Sequence, residues 1–229
     1  MDNTLFQALA LIVPLIFAIV FHEVAHGYAA RLLGDPTASQ RNRLSLNPLR
    51  HVDPIGTIIL PAILKLSGGP VFGWAKPVPV NPARLNNPRR DMMLVAAAGP
   101  GANLVLAAVG AVLLGLLLRF ALDPEPGIAV AFIAANLGNF IAINVFLALF
   151  NLLPIPPFDG SHIVEGLLPG NAARAYARSR PYGFVLLFTL LLIVPWLFPE
   201  LGIVEKLILP PFEWAIGHYQ AIVRAVAGA

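Results

Sequence analysis

The chain has 229 residues, 58% of them hydrophobic and only 12% charged, and its mean hydropathy is +0.77. A soluble core cannot hide that much apolar surface, so the composition excludes a soluble globular protein and places the chain in a bilayer. The net charge of +3 comes from basic residues grouped in loops, which reads as a topology signal and not as a nucleic-acid patch; with no cysteine, any metal must be held by His, Asp or Glu.

Residues 5–33 read as one long helix. From Leu5 to Phe21 it is apolar apart from Gln7, with Pro14 as a kink point, and Gly34-Asp35-Pro36 ends it. Its first twenty residues lack a basic leader and run straight on, so no cleaved signal peptide is expected there. The last third of this helix carries Phe21-His22-Glu23-Val24-Ala25-His26. His22 and His26 are one helical turn apart and point the same way. Neutral imidazoles at that spacing can hold one Zn²⁺, and Glu23 beside them can act as general base on its water. An H-E-x-x-H also arises by chance or as a polar seam between helices. In lipid-facing sequence, however, ionisable groups are costly and mark function. His26 lies about 8 Å along the axis from Arg31, which puts the motif below one membrane face.

Residues 35–54 form a polar loop with Arg41, Arg43, Arg50 and His51. Alternation over Arg43–Pro48 predicts a short strand, and His51 is expected on the surface. Ile55–Leu66 is apolar but shorter than the ~20 residues that a span needs, and the sequence leaves three placements for it: spanning, dipping into the membrane and returning, or lying along the surface. The Gly- and Pro-rich stretch from Gly68 to Pro82 predicts extended chain, as an edge strand or binding loop.

Asp91–Arg119 is the second expected span. Its Gly99-Pro100-Gly101-Ala102-Asn103 segment allows close approach of another helix, with Asn103 either bonding across that contact or serving chemistry. After an acidic turn at Leu122–Gly127, Ile128–Leu153 is the third span. It runs into the unwound Pro154-Ile155-Pro156-Pro157-Phe158-Asp159-Gly160. Tyr182–Phe198 predicts a fourth span, and residues 199–229 either lie at the interface or pack as a fifth helix.

Lys and Arg favour the cytoplasmic side, and they crowd the loops at 31–54, 68–90 and 174–180 while the 119–127 turn is acidic. If 55–67 does not span, this bias brings His22, His26 and Asp159 to one, cytoplasmic side. Two imidazoles leave a catalytic zinc one protein ligand short, and Asp159 is the best candidate for it. Glu165 is its rival, and His162 is either a supporting or a merely polar group. Asn151 either donates to a developing oxyanion or caps the broken helix end.

His22-Glu23-Val24-Ala25-His26, the Gly99–Asn103 segment and Asn151-Leu152-Leu153-Pro154 through Asp159-Gly160 together resemble the site-2 protease family of intramembrane zinc metalloproteases. The match covers roughly residues 5–165. The resemblance implies one Zn²⁺ held by His22, His26 and Asp159, Glu23 as catalytic base and Asn151 in the cleft. It implies a transmembrane helix of another protein as substrate, paired with extended chain between the first two core helices. Asn103, Val78 and Val80 are further candidates for substrate contact. The expected architecture is an all-α polytopic membrane protein: a single domain over 1–229, with a three-helix catalytic core at 5–165, additional helices at 166–229, and a small β or re-entrant element between the first two core helices. It is expected to be a compact cell-membrane form without PDZ or CBS domain. A metal transporter and a silent scaffold that binds transmembrane helices are the rival readings; transporters tend to show internal repeats, and a scaffold has no need of Glu23.

Overall fold

A computed structural model describes residues 3–66, 73–121, 127–202, 206 and 208–228. Its frame is three long helices: α1 (Asn3–Leu32), then after the short α2 (Thr37–Gln40) and α3 (Leu60–Leu66) the central α4 (Pro88–Phe120), and α5 (Ile128–Asn151). These three, and no others among the described residues, are long and apolar enough to cross a membrane. α4 packs against both α1 and α5. It does so through small residues recurring every three or four positions, Ala96, Gly99, Asn103, Ala107 and Ala111, all buried. Between lipid-solvated helices there is little hydrophobic gain, so such stripes win by letting backbones approach and by hydrogen bonding.

Polar side chains tie the frame together. Asn139 Nδ2 donates to Ala10 O at 2.8 Å, joining α5 to α1. Asn103 Nδ2 donates to Ala18 O at 3.2 Å and to Asn144 Oδ1 at 2.7 Å, joining all three helices at one level. The amides that look like defects in an apolar run are thus the places where the helices are fastened.

The chain then continues through α6 (Asp159–Leu167), α7 (Gly170–Ala177), α8 (Gly183–Phe188), α9 (Val194–Leu197) and α10 (Leu209–Ala227). α10 settles the choice left open for the C-terminal part by packing on the core. Phe212, Ala215, Tyr219 and Val223 lie against Ala107, Ala111, Ile141 and Val145, and Tyr219 Oη donates to Leu104 O at 3.0 Å. The close approach needs Gly115, where a Cβ would stand 2.7 Å from Val226 Cβ.

Three expectations are corrected. The fourth span over Tyr182–Phe198 is instead a shorter apolar helix, α8 and α9 joined by a π-helical stretch at Thr189–Ile193. From Gly183 to Leu197 it reaches about 22 Å, less than the ~30 Å hydrocarbon thickness. His51 is buried at 3% exposure, with its Nε2 on Ser45 O at 2.8 Å.

The third correction concerns the β or re-entrant element. No strand forms among the described residues, neither at Arg43–Pro48 nor at 73–81. Residues 54–66 are helical, a π-helical stretch at Pro54–Ile59 running into α3, started by Asp53 capping the amides of Ile55 and Gly56. They are too short to span. Residues 73–81 are extended apart from any sheet, because Pro77 and Pro79 cannot donate and the remaining amides go elsewhere. Trp74 N–H donates to Gly56 O at 3.1 Å and Lys76 N–H to His51 O at 2.8 Å. Asn81 N–H donates to Asp35 Oδ2 at 2.6 Å. Asp35 is fully buried and also accepts from Thr37. Burial opposes its charge, but the amides of Asn81 and Thr37 hold its carboxyl below the ordinary value. Val71 and Phe72, and the acidic turn up to Pro126, lie outside the described residues.

Candidate metal centre

The i, i+4 spacing on α1 stacks His22 and His26, whose ring centroids are 4.6 Å apart with the planes nearly perpendicular. Asp159 reaches them from the far end of the sequence. α5 stops at Asn151, a proline-rich turn follows, and α6 begins at Asp159 and packs on α4. Two contacts set this turn: Phe158 packs edge-on against Phe150 at 4.5 Å, and Gly160 sits where a Cβ would fall 2.3 Å from Leu152 O. As a result His22 Nε2 lies 3.2 Å and His26 Nε2 3.3 Å from Asp159 Oδ2, and the two Nε2 atoms lie 3.0 Å apart. Had residues 54–66 crossed the membrane, Asp159 would lie on the opposite face from the histidines.

The hydrogen bonds behind the rings decide what this cluster can bind. His26 Nδ1 faces the carbonyl oxygen of Val95 at 2.7 Å, so it must carry the ring proton. His22 Nδ1 faces Asn103 Oδ1 at 2.6 Å. The orientation of that amide is set, because its nitrogen is committed to Ala18 O and Asn144 Oδ1. In their neutral form both imidazoles would then present Nε2 lone pairs to each other and to a carboxylate oxygen. Asp159 Oδ2 is buried and accepts no hydrogen bond among the described residues, an orphaned acceptor that a cation at this point would satisfy. Three lone pairs converging within 4.8 Å repel one another unless a cation sits among them. Two imidazoles, one carboxylate and backing acceptors on the far ring nitrogens form a donor set that suits zinc.

Glu23 sits on the same helix between the histidines, and its Oε2 accepts the backbone N–H of Val78 at 2.7 Å. The other expected residues divide. Asn103 holds His22 and does not line an open cleft. Asn151 donates to Leu147 O one turn back on its own helix at 2.9 Å. Val80 packs beside Ala30, Leu85 and Val95. Glu165 is paired with Arg180, which also reaches His162 Nδ1 at 2.8 Å, so the rival ligand is engaged elsewhere. Burial and the neighbouring Arg180 lower the pKa of His162, which keeps its ring neutral.

Sequence reasoning missed Val95, Asn144 and the particular role of Gly99. The available signal was the spacing Val95, Gly99, Asn103 along one face of α4, the face that meets the histidines. Removing the support is expected to loosen the metal without unfolding the frame. Asn103→Ala should weaken zinc affinity by about 10- to 100-fold, read by competitive chelator titration. An unchanged affinity would show that His22 needs no such partner.

Three membrane-length helices that enclose a buried pair of imidazoles, a carboxylate and an adjacent glutamate define a membrane-embedded metallopeptidase. Known proteins agree. The model of the Peptidase family M50 matches residues 125–194, a stretch that includes Asp159. The chain is 39% identical over 203 residues to "Putative zinc metalloprotease YwhC" of Bacillus subtilis (strain 168), covering 85% of this chain and 87% of that protein. It is 30% identical over 206 residues to "Putative zinc metalloprotease Rip2" of Mycolicibacterium smegmatis, covering 84% and 74%. The Rip2 of Mycobacterium tuberculosis (strain H37Rv) is 32% identical over 201 residues, covering 83% and 73%. No solved structure matches the chain. The chain belongs to peptidase family M50, the site-2 protease-like zinc metalloproteases.

Proposed function

We propose that this enzyme is an intramembrane endopeptidase that hydrolyses peptide bonds within or near a transmembrane segment of another protein. The observation that carries the reading is the convergence of His22 Nε2, His26 Nε2 and Asp159 Oδ2 inside a frame of apolar helices. These three residues hold one zinc ion per chain. When bound, zinc supplies an acidified water and a Lewis acid for the scissile carbonyl. Glu23 takes a proton from the attacking water and delivers it to the leaving amine. Asn103 and Val95 keep both rings in the ligating tautomer, so the site is set before the substrate arrives.

A helical substrate hides its peptide bonds and has to open locally. The extended residues 73–81 run past Glu23, and an opened substrate lies along their outer side, where Pro77 and Pro79 offer carbonyl acceptors and no amide donor. The charge bias of the loops orients the site toward the cytoplasmic side of the cell membrane. The test is reconstitution of purified protein into liposomes with single-span substrates, with and without a zinc chelator. Cleavage that stops on chelation and returns with zinc is expected; intact substrates throughout, or cleavage indifferent to the chelator, would refute the reading.

A further inference from the structure

We infer that the backbone N–H of Val78 is a positioning group for the catalytic base: it anchors one carboxylate oxygen of Glu23 and so fixes how Glu23 faces the metal centre. The inference rests on the reading of Glu23 as base, and it concerns a strap of chain that nothing in the H-E-x-x-H motif specifies. Val78 N–H meets Glu23 Oε2 at 2.7 Å, 55 residues away in sequence. No other described group donates to that carboxylate, so this amide is its only protein anchor among the described residues.

The strap is built to hold that amide still. Its N–H groups at alternate residues point inward and are used in turn: Trp74 on Gly56 O, Lys76 on His51 O, Val78 on Glu23. In extended chain such alternation aims one edge at the protein. Val78 is flanked on both sides by prolines, Pro77 and Pro79, which have no amide to compete for that edge. Arg43 clamps the strap from the side by donating to Lys76 O at 2.8 Å, and Asp35 ends it at Asn81. The Val78 side chain is 7% exposed and rests on Gly27, the residue after His26; a Cβ on Gly27 would meet Val78 Cγ1 at 2.9 Å. The strap therefore lies flat on α1 beside the histidines, and its register is set at both sides of Val78.

A glutamate carboxylate turns about three side-chain bonds unless something holds it. Anchoring Oε2 through a rigid amide reduces that freedom and leaves Oε1 as the oxygen that meets the attacking water. General-base catalysis depends on such placement more than on the presence of the group.

Two measurements test this. The first is amide hydrogen exchange, which reads the contact without turnover. The Val78 amide is expected to exchange at least tenfold faster in Glu23→Ala than in Glu23→Gln, which keeps an acceptor, while the Lys76 amide keeps its rate in both. Equal Val78 rates in the two variants would overturn the contact itself, whatever the enzyme's activity. The second is kinetics with three strap variants. Val78→Pro deletes the amide in chain that is already extended and flanked by prolines. Val78→Ala keeps it, and Lys76→Pro places the same ring one hydrogen bond away. Val78→Pro is expected to lose about 30-fold or more in kcat, with KM within about twofold and zinc stoichiometric, and to fall at least tenfold below both Val78→Ala and Lys76→Pro. Full activity of Val78→Pro, or equal losses in Val78→Pro and Lys76→Pro, would overturn the positioning role and leave the peptidase reading intact. If Val78→Pro fails to retain zinc, a backbone ester at residue 78 removes only the N–H and is judged by the same criteria. A wild-type enzyme without zinc-dependent cleavage would instead count against the peptidase reading, and the exchange measurement would still decide the contact.

Discussion

Gly99→Ala is expected to reduce zinc affinity by roughly 100-fold or more while the three long helices stay folded. A Cβ at this position would lie 2.4 Å from His26 Nε2, 2.5 Å from His26 Cε1 and 2.7 Å from His22 Cε1. Both imidazoles are pinned from behind, His26 by Val95 O and His22 by Asn103 Oδ1, so neither ring can step aside without losing its acceptor. Relief must come from tilting the rings or from separating α4 and α1, and metal ligation tolerates only about 0.2 Å of displacement. Overpacking of this kind also destabilises by about 1–3 kcal/mol, more than the helix-propensity gain of roughly 0.5–1 kcal/mol from glycine to alanine. Gly101→Ala is the matched control: a Cβ there meets nothing within 4 Å, so zinc affinity should stay within about twofold. Metal content after dialysis against graded chelator, with circular dichroism to report helicity, separates the two variants. Equal affinities would mean that the α1–α4 contact relaxes freely and that Gly99 has no part in shaping the site.

Glu23→Gln should leave the fold and the zinc in place and lower kcat by about 10²- to 10⁴-fold, the range that a positioned general base supplies. The substitution is nearly isosteric. A glutamine Oε1 still accepts the Val78 amide, so the strap keeps its anchor. None of the three converging ligand atoms belongs to Glu23, so metal content should remain stoichiometric. What is lost is basicity alone. Single-turnover cleavage of a reconstituted substrate, paired with zinc analysis, checks both halves. Retained turnover would remove Glu23 from the chemistry, and loss of zinc would show that it supports the ligands.

The two variants act on opposite sides of one design. Gly99 decides whether the ligands can meet, and Glu23 decides what happens once they have. Asn103 lies between the two cases, since its amide touches a ligand but not the metal position. Its fastening to Ala18 and Asn144 makes the same residue a helix tie and a tautomer lock, which is why a structural and a chemical reading of it were hard to separate. The Asn103 side chain is fully enclosed among three helices. The Val78 amide points inward and is taken up by Glu23.

The periodic and compositional features were legible because they depend on neighbours in sequence. Long apolar runs must be helices in lipid, where every backbone group needs an internal partner, and α1, α4 and α5 appear within a few residues of their expected bounds. One-turn spacing alone pairs His22 with His26, and the shortness of the apolar run at 55–66 argues against a span there. Partnerships between distant, individually unremarkable backbone atoms were not legible. That Val95 offers a carbonyl to His26, that Val78 offers an amide to Glu23, and that Gly99 leaves room for two rings depend on how α4 and the strap settle against α1. The Gly/Pro-rich stretch had the composition of an edge strand, yet among the described residues no partner strand lies beside it, and the amides of Trp74, Lys76, Val78 and Asn81 find loop carbonyls and carboxylates. Short-range sterics and solvation thus set the helices and the donor set. Packing of buried polar groups, each of which must find a partner wherever the chain happens to bring one, decided the geometry around it.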